Sequence, residues 1–414
     1  MPYQVPRGTR DLMPEQALVL EDVLEKVRLV FRKYGYEPVE TPAFESLEVL
    51  EKKSGEELKK QIFRVGEGEK LGLRFDLTVP LARLVASNSS LPKPFKRYHI
   101  ARVWRHEEPQ KGRFREFYQA DVDVVGAAGM EADAEVLTCA KEALEMIGVE
   151  VKRVRVNNRK MLDALFAKLG LKAGATALFR ALDKLDKQGR QAVEAELKRL
   201  GLGAGDVEML MRMVMAGGSN EAKLSLVEKE FPNEGAAETR ELLKLLQEYG
   251  VKADLDLSLV RGLDYYTGPV YEISGSGDVG SIAAGGRYDK LIELYGSKPT
   301  PATGISLGIE RIMEVLKAKG KKALTRAYVA AAKDEYRMNA REIAMKLRAA
   351  GIAAQLDLMG RNLKKQLEHA NALGIPYAVI VGEREIKEKK LTLRDMKGGG
   401  ERMLTLEQVV KELS

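Results

Sequence analysis

Two long extended runs, FKRYHIARVWR (95–105) and FREFYQADVDVVG (114–126), constrain this chain more than any other feature. A short polar loop, HEEPQKGR (106–113), joins them. They demand a substantial sheet. In the second run Phe114, Glu116, Tyr118, Ala120, Val122 and Val124 share one face, while Arg115, Phe117, Gln119, Asp121 and Asp123 share the other. Two acids and a glutamine on one strand face are unusual unless that face borders a pocket or water.

Helix and strand patterns surround this pair. Leu20, Val23, Leu24, Val27, Val30, Phe31 and Tyr34 form one apolar stripe, Pro14 suits a first turn and Gly35 a stop, so the spacing predicts a helix over 14–34. GYEPVETPAF (35–44) reads as extended, because each proline disfavours helix at the residue before it. IFRV (62–65) and LGLRFD (71–76) predict a hairpin around Gly66-Glu67-Gly68. TVPLARLVAS (78–87) predicts a helix capped by Thr78. From about 171 to 250 the chain is helix-forming, with Phe179, Phe231 and Tyr249 its only aromatics and glycine-rich breaks at 201–205 and 217–218, which suggests an inserted helical module. Strand and loop patterns return over 254–308, and KAKGKKALT (317–325) reads as a linker. Beyond it, AYVAAA (327–332), a helix over 335–350, AAQLDL (353–358), a helix over 361–373 and YAVIVG (377–382) alternate as in a small α/β domain with parallel strands.

Composition bounds the function classes. The 414 residues are 45% apolar, enough for two to four domains at roughly 100–200 residues each. The net charge is +7, and residues 324–414 hold 17 Lys and Arg against 12 Asp and Glu. A basic terminal domain can attract nucleic acid through its phosphates, although charge alone fits a solvated surface equally well. With Cys139 the single cysteine, no intrachain disulfide forms, which suits a reducing cytosol. No apolar run has signal-peptide length at the start or reaches about 18 residues elsewhere, so the expectation is a soluble, cytoplasmic protein without membrane association.

Three segments carry chemistry. Arg105-His106-Glu107 ends the first long run; arginine's planar fork suits a phosphate, and a glutamate two residues on, sharing its strand face, could accept from an adenine amino group. A surface Arg–Glu pair is the bland alternative. VRGLDYYTGPVYE (260–272) sets Asp264, Tyr265 and Tyr266 between Gly262 and Gly268, with Arg261 just before, and these glycines permit tight turns and close approach to a ligand; core tyrosines would look the same. AAGGRYDKL (283–291) and TGISLGIERIMEV (303–315) remove side chains at Gly285-Gly286 and place Arg311 in the first turn of a helix beginning near Gly308, a favourable position against a phosphate.

In this order and spacing these segments resemble the class II aminoacyl-tRNA synthetases, and among them the histidyl-tRNA synthetases. GYEPVETPAF resembles the family's first, dimer-interface motif, the two long runs with their loop the second, and GISLGIER the third. RGLDYYTG resembles the histidine-specific signature, PRGTRDLMP and RFDLT are further family-like segments, and DLMGRNLKKQLEHANALGIPYAVIVG (357–382) resembles the anticodon-binding domain. The resemblance implies an α+β fold: a mostly antiparallel catalytic sheet flanked by helices in 1–170 and 251–320, a helical insertion over 171–250, and a C-terminal α/β anticodon-binding domain over 325–414. It implies activation of L-histidine by ATP, with Mg²⁺ on the phosphates, transfer to tRNA(His), a homodimer, and no protein-held metal.

Residue by residue, the resemblance implies that Arg105 holds the α-phosphate and also faces the histidine, that Arg311 holds the γ-phosphate, that Arg113 reaches the phosphates and that Glu107 contacts adenine. Asp76 and Thr78, with Leu77 between them, hold the α-amino group of histidine, helped by Gln119. Asp123 accepts from one ring nitrogen and Tyr266, beside Tyr265, bonds the other side. Arg261 bridges substrate carboxylate and α-phosphate, and Gly285 and Gly286 line the pocket near Tyr288. Glu108 departs from the arginine common in bacterial members, which bears on acceptor-end recognition. Two other readings stay open: the non-catalytic, synthetase-like regulatory subunit of ATP phosphoribosyltransferase, and an RNA-binding or dimerising module on an inactive core.

Overall fold

The two long runs form adjacent strands, second and third from one edge, of an eight-stranded sheet. Its strands are β1 (Glu37–Pro38), β2 (Phe95–Trp104), β3 (Glu116–Val125), β4 (Val151–Asn158), β5 (Asp254–Leu255), β6 (Pro269–Gly275), β7 (Ser281–Arg287) and β8 (Ala302–Gly308). Their order is β1-β2-β3-β8-β7-β6-β4-β5. Only the outer pairings, β1–β2 and β4–β5, are parallel. The computed structural model describes residues 3–52, 56–110, 112–170, 175–182, 184–260, 265–276, 280–316 and 324–414. These form two compact units, one carrying chiefly Leu20–Ala318 and the other chiefly Lys319–Ser414.

Helix α1 (Pro14–Lys33) buries Leu20, Val23, Val27, Val30 and Phe31, an i, i+3, i+4, i+7 stripe. Helix α2 (Thr78–Ser87) starts where expected, but Thr78 does not cap it; the Asp76 carboxylate accepts from Val79 N at 3.0 Å. A short three-stranded sheet of Phe44–Ser46, Leu71–Leu73 and Arg64–Val65 contains the expected hairpin. Helix α3 (Met130–Met146) lays Val136, Leu137, Ala140, Ala143 and Leu144 on one face of the large sheet.

Between β4 and β5 the chain is helical from α4 (Arg159–Lys168) to a last helix, Glu234–Glu248. The apolar core of this region includes Phe166, Phe179, Leu197, Leu210, Met211 and Val227, and it draws in Leu255, Leu257 and Val260 from the returning chain. The smaller unit has a five-stranded sheet in which Ala327–Ala331 is flanked by two parallel neighbours, Ala354–Leu356 and Tyr377–Val381. Two antiparallel strands, Leu391–Asp395 and Glu401–Leu404, extend it beyond the parallel pattern read from the sequence. Among the described residues no helix is long and apolar enough to cross a membrane.

Candidate active site

Register decides what the polar strand face meets. Asp123 on β3 pairs with Arg97 on β2 and Gly304 on β8, and Gly304 pairs with Gly286 on β7. One step along the same face, Asp121 pairs with His99 and Ser306, and one further, Gln119 pairs with Ala101 and Gly308. Asp76 and Asp121 are 3% exposed, Asp123 2% and Gln119 9%, so this face is buried in the protein and not a wet edge.

One buried arginine serves these acids. Arg97 donates to Leu77 O at 3.1 Å and lies 2.8 Å from Asp123 Oδ2. Tyr288 donates its hydroxyl to Asp123 Oδ1. Asp123 thus pairs with Arg97 and Tyr288, and with neither Arg113 nor Arg115 along its own run. An added Cβ at Gly304 would sit 2.0 Å from Asp123 Oδ1, so only glycine leaves the carboxylate its place. Gly286 likewise gives way to the Tyr266 ring, 2.7 Å from a hypothetical Cβ. Gly285 lies on the opposite sheet face and lets β8 approach; its Cβ would meet Gly304 O at 2.0 Å.

Several polar atoms here have no hydrogen-bond partner among the described residues: Asp76 Oδ2, Gln119 Oε1, Asp121 Oδ1, Asp123 Oδ2, Nε and Nη1 of Arg97, and both ring nitrogens of His99. Leaving a buried polar group unpaired costs about 1–3 kcal/mol, so such a concentration marks a place prepared for a ligand. Burial pushes the Asp76 carboxyl up to about 6 and, with the neighbouring carboxylate Asp123, holds Asp121 up at about 7. Burial also raises Asp123, against the opposing charge of Arg97 and the Tyr288 bond. His99, desolvated and near Arg97, is lowered to about 3 and is neutral. Tyr265, Tyr266 and Tyr288 wall the pocket; the Tyr265 ring lies 4.9 Å from Tyr266 and 6.0 Å edge-on to Tyr288. Thr78 hydrogen-bonds the Tyr265 hydroxyl.

The expected phosphate-binding arginines border this pocket. Arg105, just past β2, donates Nε to Phe75 O at 2.9 Å and stacks 5.1 Å over Phe117, which fixes its guanidinium beside Asp76. Arg311 is in the first turn of helix α5 (Ile309–Leu316), three residues beyond the Gly308–Gln119 pair, and donates to Ser281 O at 2.5 Å. Glu107 does not share a strand face with Arg105. The strand ends at Trp104, and Glu107 N turns back to Arg105 O at 2.8 Å. Arg113 lies 3.7 Å from Glu107 and Arg7 2.6 Å from Glu108, the position that departs from bacterial relatives. Arg261, Gly262 and Asp264 lie outside the described residues.

Sequence reasoning assigned no role to Arg97, Gly304 or Ser306, and left Asp121 as an unexplained polar side chain. Folding the two runs about the centre of 106–113 pairs 97 with 122, one residue out of the observed register, so the loop length alone did not reveal Arg97. For Gly304 and Ser306 there was no local signal, because β8 lies some 180 residues away along the chain.

The family described as histidyl-tRNA synthetase matches residues 8–312. The chain belongs to that family. An anticodon binding domain matches residues 326–414. Among relatives of this synthetase family, the histidine–tRNA ligase of Thermococcus kodakarensis is 40% identical over 98% of this chain and 97% of its own length. That of Aeropyrum pernix is 42% identical, over 98% and 96%. Among solved structures, the histidyl-tRNA synthetase of Nostoc sp. PCC 7120 superposes with a TM-score of 0.87 at 29% identity, covering 100% of this chain and 99% of that one.

Proposed function

We propose that the protein is a histidine–tRNA ligase that makes histidyl-adenylate from L-histidine and ATP and transfers the histidyl group to tRNA(His). The observation that carries this reading is a buried pocket with more carboxylates than cations, opening beside fixed arginines. Asp76, Asp121 and Asp123 face one another around Arg97, a balance that suits a substrate bringing an ammonium group and a ring with N–H donors. Asp76 Oδ2 and Gln119 Oε1 are the acceptors for the α-amino group. Leu77 contributes its carbonyl to Arg97, and Thr78 steadies Tyr265.

The histidine carboxylate attacks the α-phosphate in line, and pyrophosphate leaves. A ribose hydroxyl of the tRNA then attacks the activated carbonyl, and AMP leaves. Charge builds around phosphorus in the first step, so positioning and positive charge dominate catalysis. Arg105 and Arg261 hold the α-phosphate, Arg311 the γ-phosphate and Arg113 the outer phosphates, with Glu107 toward adenine. Glu107 and Glu310 face Arg113 and Arg10 at 3.7 and 3.9 Å, an arrangement that fits Mg²⁺ bound through the ATP phosphates, whose charge it would offset. The reading includes a homodimer, a cytoplasmic location, and residues 325–414 as the part that reads the anticodon.

Histidine-dependent exchange of pyrophosphate into ATP tests the first step. A regulatory subunit or an RNA-binding module on an inactive core would show none. Cutting the chain near residue 320 tests the division of labour: the core should keep the exchange and charge tRNA poorly, and undiminished charging would remove the anticodon role.

A further inference from the structure

We propose that the N-terminal turn 6–10 is the positioning element of the loop 106–113, a clasp that holds Glu107 and Arg113 where the nucleotide meets them. The inference rests on the functional reading above, which gives that loop to ATP. It adds a role for a segment 101 positions earlier in the chain, counted from Arg7 to Glu108.

The turn is built for close approach. The amide and hydroxyl of Thr9 both donate to Pro6 O, at 3.0 and 2.7 Å, and Gly8 takes a φ of +85°, which favours glycine. A Cβ on Gly8 would lie 2.7 Å from Arg115 Cγ and 2.9 Å from Pro109 Cγ, so a residue without one is needed for the turn to seat against them. Arg115 N donates to Gly8 O at 2.8 Å, while Arg115 O accepts from Arg105 N at 2.9 Å, so the returning run is bracketed between the turn and the end of β2. Across the loop, Arg115 Nε donates to Glu107 O at 3.0 Å, which passes the placement of the turn on to the residue assigned to adenine. Arg10 lays its guanidinium 4.0 Å over the Phe114 ring and lies 3.9 Å from Glu310, whose carboxylate also accepts from Tyr118 N at 2.9 Å. The turn is thereby fixed to β3 and α5 as well. The exposed Arg7–Glu108 pair adds least. Misplacing groups that orient a substrate by about 1 Å can cost on the order of 100-fold in rate, so a firm seat beneath the loop has a catalytic consequence without touching substrate.

Pyrophosphate exchange and thermal shift on full-length variants test this. Gly8→Ala sets a methyl group between the turn and the loop, and the KM for ATP should rise by about ten-fold or more while that for histidine stays within about two-fold. Its ligand-free Tm, and its gain in Tm with saturating histidine, should match wild type, because the turn can release without opening the core. Arg10→Gln, which removes the stacking and the ion pair but keeps the backbone turn, should raise the KM for ATP by about three-fold. Arg7→Glu should have a smaller effect, which adding Glu108→Arg reverses. A merely structural turn would instead lower the Tm and weaken both substrates together, and that outcome overturns the assignment. An unchanged KM for ATP in Gly8→Ala also overturns it, leaving the ligase reading intact. Should Gly8→Ala fail to fold, Arg10→Gln decides alone on the same readouts. A wild-type chain without histidine-dependent exchange overturns both.

Discussion

The two faces of the eight-stranded sheet handle buried charge in opposite ways, using adjacent residues of the same strands. On the face beneath α3, Asp133 meets Arg287 through Nε at 3.1 Å and also through Nη2, and takes the Thr303 hydroxyl at 2.8 Å. Arg287 gives its remaining N–H groups to Ala127 O, Gly129 O and Asp289, and Tyr271 bonds Thr303. All the Asp133 and Arg287 side-chain polar atoms are matched. One residue along, on the other face, Gly286 and Gly304 make room for the Tyr266 ring and the Asp123 carboxylate, among acids whose oxygens are not all matched. A satisfied network fixes one structure, whereas an unsatisfied one stores a cost that a substrate can relieve. The closed face is thus the brace, and the open face the instrument it holds steady.

Breaking the brace should have the largest effect. Asp133→Ala strips the buried Arg287 of its main carboxylate partner and leaves it Asp289 alone as a counter-charge, and we expect a loss of about 3–5 kcal/mol in unfolding free energy by denaturant titration. A loss under about 1 kcal/mol would show that the closed face is no stiffer than the open one. Asp123→Ala should show the reverse profile. Arg97 keeps Asp121 and Asp76 as neighbours, so stability should fall much less than for Asp133→Ala, whereas kcat/KM for histidine drops by roughly 2–4 kcal/mol, with the KM for ATP near normal. Equal damage to both substrates and an early melt would make Asp123 part of the brace. Gly304→Ala pushes a methyl group onto Asp123, and a cost of about 1–3 kcal/mol is expected, read as a raised KM for histidine. An unaffected KM would mean the carboxylate moves aside freely.

The last expected effect is a pH slope. Burial holds the folded Asp121 carboxyl near 7 against an ordinary 3.8, so it favours folding fully below about 3.8 and progressively less as the pH rises to about 7. The stability of ligand-free Asp121→Asn relative to wild type should therefore grow from pH 4 to pH 7 and level off above. Asp76, Asp123, Arg97 and His99 face the same space in both proteins and largely cancel in the comparison. A difference independent of pH would mean that Asp121 carries no unrelieved charge.

Much of this was legible in the sequence, and the limits have physical reasons. Alternation along 114–126 put Gln119, Asp121 and Asp123 on one face, but the loop length alone set Arg97 one residue out of register. Which partners these acids take could not be read, because that depends on Tyr288 and Ser306, delivered by strands more than 150 residues downstream. The Thr78 cap failed because Asp76, two residues earlier, competes for the same backbone N–H groups and succeeds. Gly285-Gly286 reads as one device in the sequence; the pleat separates it into two, one admitting a ring and the other a neighbouring strand.

The position of β3 in the sheet has a consequence for biosynthesis. One edge of β3 pairs with β2 at once, but the other waits for β8, whose first residue, Ala302, follows Val125 by some 180 positions. At about 5–20 residues per second, a ribosome takes about 10–40 s to supply that partner. Throughout that interval the nascent chain presents AlaAspValAspValVal (120–125) as an open strand edge. Asp121 and Asp123 lie at alternate positions of that segment, where their charge keeps two unfinished chains from pairing.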